Sequence, residues 1–222
     1  MSARFDPSLI PPSPDLALET SLRVAGTSLI AGLDEAGRGA WAGPVTAAAV
    51  ILPVDFYENN RLAGVRDSKQ LTPAQRFALE PIIKSIAQAW AVGFASSQEI
   101  DSLGILAATR LAMMRALSGL PISPLHLLID ALFLPEITIP QTALIKGDQR
   151  SLSIAAASIL AKTARDRWME DLALQEPAYG FEHHKGYGTH RHQSALSIHG
   201  PCLFHRYSFA PVKETLKENR TK

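Results

Sequence analysis

The chain has 222 residues, 46% of them apolar and 7% aromatic, with a formal charge of +1. That length and apolar content predict one domain with a full core and argue against a disordered chain. A single cysteine, Cys202, excludes an internal disulfide and a cysteine-rich zinc framework.

Residues 1–20 carry four prolines among scattered polar residues, which predicts a flexible leader before a domain over 21–212. The N-terminal stretch lacks the basic start and apolar run of a signal peptide, and nothing approaches the ~18 to 20 apolar residues of a membrane helix. A cytoplasmic protein with no membrane association is the expectation. The apolar run 28–33 predicts a strand that ends in Asp34 and Glu35, and 44–52 predicts a second, joined to it by a glycine-rich turn. Thr72-Pro73 has the form of an N-cap with proline at the first helical position, so a helix runs toward Pro81 or beyond. A third strand is predicted over 89–95, and Ser96 and Glu99 have capping-box spacing before a helix reaching Leu117.

Strands over 125–130 and 142–146 follow, then an alanine-rich helix from Arg150 to about Leu174 and another from Thr189 to Ile198, closed by Gly200 and Pro201. The tail 213–222 is polar. Three early strands and two later ones predict an α/β fold, one mixed sheet flanked by helices. Between His183 and Lys213 there is no acid, while six of the seven histidines and Lys185, Arg191 and Arg206 fall there. Such a locally basic stretch suits a phosphate backbone, although an ordinary solvated surface would look the same.

Three apolar runs end in acid: Asp34 with Glu35, Asp130, and Asp148. Open α/β sheets carry their sites beyond strand ends, so Asp34, Asp130 and Asp148 would converge if parallel neighbours end together. Carboxylates that close need cations, and oxygen ligands suit Mg²⁺ or Mn²⁺, two of which can act on a phosphodiester. Glu35 joins the same site only if the chain bends, which Gly37 and Gly39 permit. Acids after strands also serve as caps and turn residues, and spacing leaves both readings open.

The segment Gly32-Leu33-Asp34-Glu35-Ala36-Gly37-Arg38-Gly39, with Gly43-Pro44-Val45, resembles the signature of the ribonuclease HII family. Further matches follow in order: Asp67-Ser68-Lys69 with Leu71, Ile129-Asp130, Lys146-Gly147-Asp148, Ile154 to Lys162 with Arg165-Asp166, His184 to Thr189, and His205-Arg206 with Ser208-Phe209. They span residues 30–212.

The resemblance implies a ribonuclease H-like fold with a five-stranded sheet and a helical C-terminal extension. It also implies an endonuclease acting on RNA–DNA hybrids and cutting 5′ to single ribonucleotides in duplex DNA. Asp34, Glu35, Asp130 and Asp148 take the place of the family's catalytic acids, holding two divalent ions. Gly37, Arg38 and Gly39 take that of its loop at the ribose 2′-hydroxyl, and Tyr187 that of the tyrosine packing on sugar. Lys69, Lys185 and Ser151, with Ser153, are candidate phosphate contacts, although an N-cap role explains a serine at the start of that helix equally well. Asp166 ranks behind Asp148, because Lys162 and Arg165 offer it ion pairs on a helix.

Ala40-Trp41 and Ala131 depart from the residues the family uses most often. Arg38 and the short leader count against the related HIII type, the presence of all four acids against a non-catalytic binding module, and the glycine spacing against a dinucleotide fingerprint. A zinc site among His183, His184, His190 and His192 is disfavoured. A monomer is expected, with nucleic acid as partner and no protein partner legible.

Overall fold

The structure, a computed structural model, describes residues 5–54 and 62–218. In chain order its elements are α1 (Ala17–Val24), β1 (Ile30–Ala36), β2 (Val45–Ile51), α2 (Pro73–Ile86), β3 (Ala89–Ala95), α3 (Ser97–Leu103) and α4 (Ile105–Ser118). There follow β4 (His126–Asp130), β5 (Gln141–Leu144), α5 (Leu152–Gln175), α6 (Phe181–His184), α7 (His190–His199) and α8 (Ala210–Glu218). The strands form one mixed sheet in the order β3-β2-β1-β4-β5. The first three are antiparallel neighbours; β1, β4 and β5 run parallel.

The interior strand β2 is buried at every position, so its apolar run shows no alternation. Ala47, Ala49 and Ile51 meet Ala108, Ala112 and Met113 of α4 on one face. On the other, Ala48 and Val50 meet Ala155 to Ala157, Ile159 and Leu160 of α5, with Ile83 of α2. Both helices sit close. A Cβ on Gly32 of β1 would strike the backbone of Ser153 and Ile154, and one on Gly93 of β3 the backbone of Ala112 and Ala116. With alanines lining the helix as well, α5 lies almost on the strand that carries Asp34 and Glu35.

Three expectations need correction. The leader is not loose over its whole length: Asp6 caps a 3-10 turn over Pro7–Leu9, and α1 begins at Ala17 with Leu16 buried. Its order comes from long-range contacts that local composition does not encode. The helix expected over 96–117 is two helices, broken at Gly104 with φ +80°. The polar tail enters α8, while residues 219–222 lie outside the described ones.

Candidate active site

Backbone pairing of β1 with β4 stops at Leu33–Ile129, one residue short of the acids. Asp34 and Asp130 therefore emerge at the same end of neighbouring parallel strands, just where the ladder between them ends. Asp148 arrives from a 3-10 turn, Gly147–Gln149, after β5. That turn is tied down because the Gly147 amide donates to Asp130 Oδ1 at 2.7 Å. Contrary to the expected bend, β1 keeps its ladder with β2 through Glu35 and Ala36, and the chain turns only at Gly37.

Electrostatics show that these acids share one space. Burial lifts the Asp34 carboxyl well above the usual carboxylate range, and the charges of Glu35, Asp130 and Asp148 push the same way. Glu35 is raised by burial, against the pull of Arg38, whose guanidinium lies 3.1 Å away, and Asp130 adds to the rise. Asp130 is raised by burial although the Gly147 amide stabilises its charged form. Asp148 is pushed up to about 7, chiefly by burial and then by Asp130 and Asp67.

Asp67 is thus a fifth acid of the cluster, one that sequence reasoning did not assign. It is buried, accepts from the Lys69 amide at 2.9 Å, and stands beside Asp148. The clue was its place in the Asp67-Ser68-Lys69 match. Burial works against the Lys69 ammonium, but Asp34, Asp67, Asp148 and Asp130 outweigh it and raise its pKa. Lys69 therefore faces the acids.

The donor set is all oxygen, which fits a hard divalent cation. Glu35 Oε2 is buried with no hydrogen-bond partner among the described residues, an orphaned acceptor of the kind an ion would satisfy. Among the described residues no group of three or more His, Cys, Asp or Glu side chains is arranged to hold a metal ion as it stands.

Beside the acids lies the turn Gly37 to Gly39. Gly37 has φ +92°, and the side a Cβ would occupy is filled by the Arg165 guanidinium. Gly39 is exposed, with open space where its Cβ would be. Arg165 donates to the carbonyls of Pro44 (2.9 Å) and Ala42 (3.1 Å), and Arg206 to those of Gly43 (3.0 Å) and Arg38 (2.9 Å). Both arginines are fully buried. The half-buried Tyr187 ring lies 5.2 Å from the Arg165 guanidinium and 5.8 Å from Lys162 Nζ.

Trp41 joins the turn to the Tyr187 loop. Its amide donates to Gly186 O at 2.8 Å, and its indole packs where a side chain on Gly188 would be. The departure at this position is thus accommodated by a glycine.

Ser151 is a correction. It is wholly buried, caps α5 by accepting from the Ile154 amide, and donates to Glu19, so it presents nothing to a phosphate. Ser153 is likewise buried on Glu19. Lys185 holds Glu170 at 2.7 Å and the Glu182 carbonyl at 2.6 Å, and lines a groove with Tyr187, Lys162 and Arg76. Asp166 is ion-paired to Lys162 as expected, at 2.5 Å, but its other partner is Arg76 at 3.2 Å and not Arg165, which donates to the Pro44 and Ala42 carbonyls.

Two of the four candidate zinc histidines, His184 and His192, have both ring nitrogens engaged. His192 Nδ1 donates to Tyr187 O, so its Nε2 accepts from His205 Nε2 at 3.0 Å, while His205 Nδ1 accepts from the Cys202 amide. His184 stacks on His192 with centroids 4.5 Å apart and has both nitrogens engaged, with Tyr179 O and the Gly186 amide. Burial holds His192 down to about 4 and His205 to about 3, so both are neutral packing elements of the C-terminal extension.

Comparison with known proteins gives a consistent result. The family model described as Ribonuclease HII matches residues 31–212. A Ribonuclease HII of Chloroflexus aurantiacus is 52% identical over 204 residues, covering 91% of this chain and 96% of that protein. One of Roseiflexus castenholzii is 54% identical, covering 93% and 92%. Among solved structures, the ribonuclease H2 of Pyrococcus horikoshii superposes with a TM-score of 0.72 at 28% identity, covering 87% of this chain and all of the other. The ribonuclease HII of Archaeoglobus fulgidus, solved in complex with PCNA, gives 0.67 at 27% identity, over 80% and 93% of the two chains.

Proposed function

Since the chain belongs to the ribonuclease HII family, whose members cleave the RNA strand of RNA–DNA hybrids, we propose that it also incises duplex DNA 5′ to a single embedded ribonucleotide. The reaction is hydrolysis of one phosphodiester, leaving a 3′-hydroxyl and a 5′-phosphate. The observation that carries this reading is the convergence of Asp34, Glu35, Asp130 and Asp148 beside a glycine turn with one open face.

Asp34, Glu35, Asp130 and Asp148 are the residues that would hold two divalent ions, Mg²⁺ or Mn²⁺. Bound there, such ions would neutralise the scissile phosphate and make water a better nucleophile. Asp130 is oriented for this by the Gly147 amide, and Lys69 supplies a cation at the rim. The open face of Gly39 lets a sugar approach the backbone closely, which is how a 2′-hydroxyl can be sensed. Tyr187, backed by Arg165, offers its ring to the same sugar. Lys162, Lys185 and Arg76 line the adjoining groove, each ion-paired there to Asp166 or Glu170, and would meet the phosphates of the duplex by exchanging those partners. The protein acts as a monomer in this reading.

The test is cleavage of a labelled duplex containing one ribonucleotide, with Mg²⁺, Mn²⁺ or EDTA, beside an all-DNA control. A metal-dependent cut 5′ to the ribonucleotide, and none in the control, is expected. Cleavage confined to runs of several ribonucleotides would leave the family reaction standing and remove the roles given to Gly39 and Tyr187.

A further inference from the structure

A helix N-terminus carries unsatisfied amides and the positive end of the helix dipole, so an anion is stabilised there. At the start of the 24-residue α5 that anion is internal. Glu19 of α1 is 1% exposed, and its Oε1 accepts from Ser151 Oγ (2.6 Å), Ser153 Oγ (2.6 Å) and the Ser153 amide (3.1 Å). The chain just before α1 reinforces the contact, since the Leu152 amide donates to Asp15 O at 2.8 Å. No lysine or arginine is ion-paired with Glu19 among the described residues. The first turn of α5 and two serines therefore do what a cationic partner would do elsewhere.

This clamp lies one short link from the acids. Ser151 receives Glu19 through its hydroxyl and, through its own amide, donates to Gly147 O at 2.8 Å. Asp148 is the next residue, and Gly147 has little freedom: a Cβ there would lie 2.7 Å from Ile154 Cδ1. A displacement of Ser151 must therefore be taken up by the turn that carries Asp148.

We propose that Glu19 is a positioning residue for the reaction, holding the Gly147-Asp148 turn in place through Ser151. The inference rests on Asp148 being a cation ligand, as proposed above. It gives the N-terminal segment a task in the active site although none of its residues reaches the substrate.

The test is calorimetric titration of Mn²⁺ into the wild type, Glu19→Gln, Asp148→Asn and the double variant, with circular dichroism melting to verify folding. Glu19→Gln keeps the shape and removes the charge that the serines and helix terminus address. In the wild-type background it should weaken Mn²⁺ binding by roughly 10-fold, the low end for a group that orients a metal ligand. The kcat should fall in proportion, with KM for the duplex unchanged. In the Asp148→Asn background the same substitution should change Mn²⁺ affinity less than about twofold, since the coupled ligand is already gone.

Equal losses in both backgrounds, or full Mn²⁺ affinity in folded Glu19→Gln, would overturn the inference. If Glu19→Gln does not fold, Glu19→Asp, which retains the charge but withdraws it by one methylene, carries the same comparison. Asp148→Asn that binds Mn²⁺ as the wild type does would instead remove Asp148 from the ligand set, a failure of the functional reading itself.

Discussion

Gly37 and Gly39 stand two residues apart in one turn, yet substitution should separate folding from binding. At Gly37 an alanine would be strained twice. Its φ of +92° lies where an L side chain costs about 1–2 kcal/mol. Its Cβ would also fall on the Arg165 guanidinium, which must retreat by roughly 1 Å or more to regain van der Waals contact. Arg165 cannot do so and keep its bonds to Pro44 O and Ala42 O, and losing a bond made by a buried charged group costs about 1.5–3 kcal/mol.

With one such bond lost and the other weakened, Gly37→Ala should destabilise the protein by about 3–5 kcal/mol. Gly39→Ala meets nothing within 4 Å and has an ordinary φ, so its stability should stay within about 0.5 kcal/mol of wild type. Its methyl would nevertheless stand on the open face through which the proposed reading brings a sugar to the backbone. Urea unfolding of both variants, with steady-state cleavage of a single-ribonucleotide duplex, decides the matter. Gly37→Ala costing less than about 1 kcal/mol would refute the strain argument. A well-folded Gly39→Ala with unchanged kcat/KM would refute the close-approach argument.

Asp130→Asn should keep the fold, because an amide oxygen still accepts from Gly147, and abolish cleavage; turnover within about tenfold of wild type would remove Asp130 from the reaction. Tyr187→Ala should cut single-ribonucleotide incision by roughly 10- to 100-fold and spare cleavage of long hybrids more, as the ring offers about 1–3 kcal/mol of sugar contact. Equal rates on both substrates before and after substitution would exclude it from recognition. His192 and His205 should stay neutral between pH 8 and 5, read by NMR, since burial lowers them to about 4 and about 3. Their folded pKa values lie below the unfolded one, so the stability they contribute is present above about 6.5 and is lost as pH falls toward 4. Titration of either near 6.5 would contradict the tautomer assignment.

What the sequence made legible was whatever lies in local pattern. The five strands were readable from apolar runs, β3 over its full length, and Thr72 and Ser96 cap their helices as their spacing requires. The acids stood at strand ends, where parallel topology brings them together. The sequence concealed pairings between distant residues. Nothing near Glu19 announces that Ser151 and Ser153, more than a hundred residues on, will surround it, so the serines read as open phosphate donors and the leader as loose. Asp67 read as part of a motif without a role, because only the fold sets it beside Asp148. Gly104 broke a helix that looked continuous, since a lone glycine in a helical pattern is tolerated as often as it terminates.

The arrangement of charge ties these pieces together. Buried ions are ordinarily paired, and two clusters outside the site obey the rule: Asp166 lies between Arg76 and Lys162, and Glu80 between Lys84 and Arg167, while Glu19 is answered by serines and a helix end. At the site the rule does not hold. Asp34 and Asp148 are buried acids raised by burial and by neighbouring acids, with Lys69 facing them and Arg38 paired to Glu35 beside them. A few residues away, Arg165 and Arg206 are buried cations held by carbonyls rather than carboxylates. This separation of buried charge is a cost that packing alone does not explain. It follows directly if the acids await cations, and if the arginines hold the turn rigid while lending positive potential to a surface meant for a polyanion.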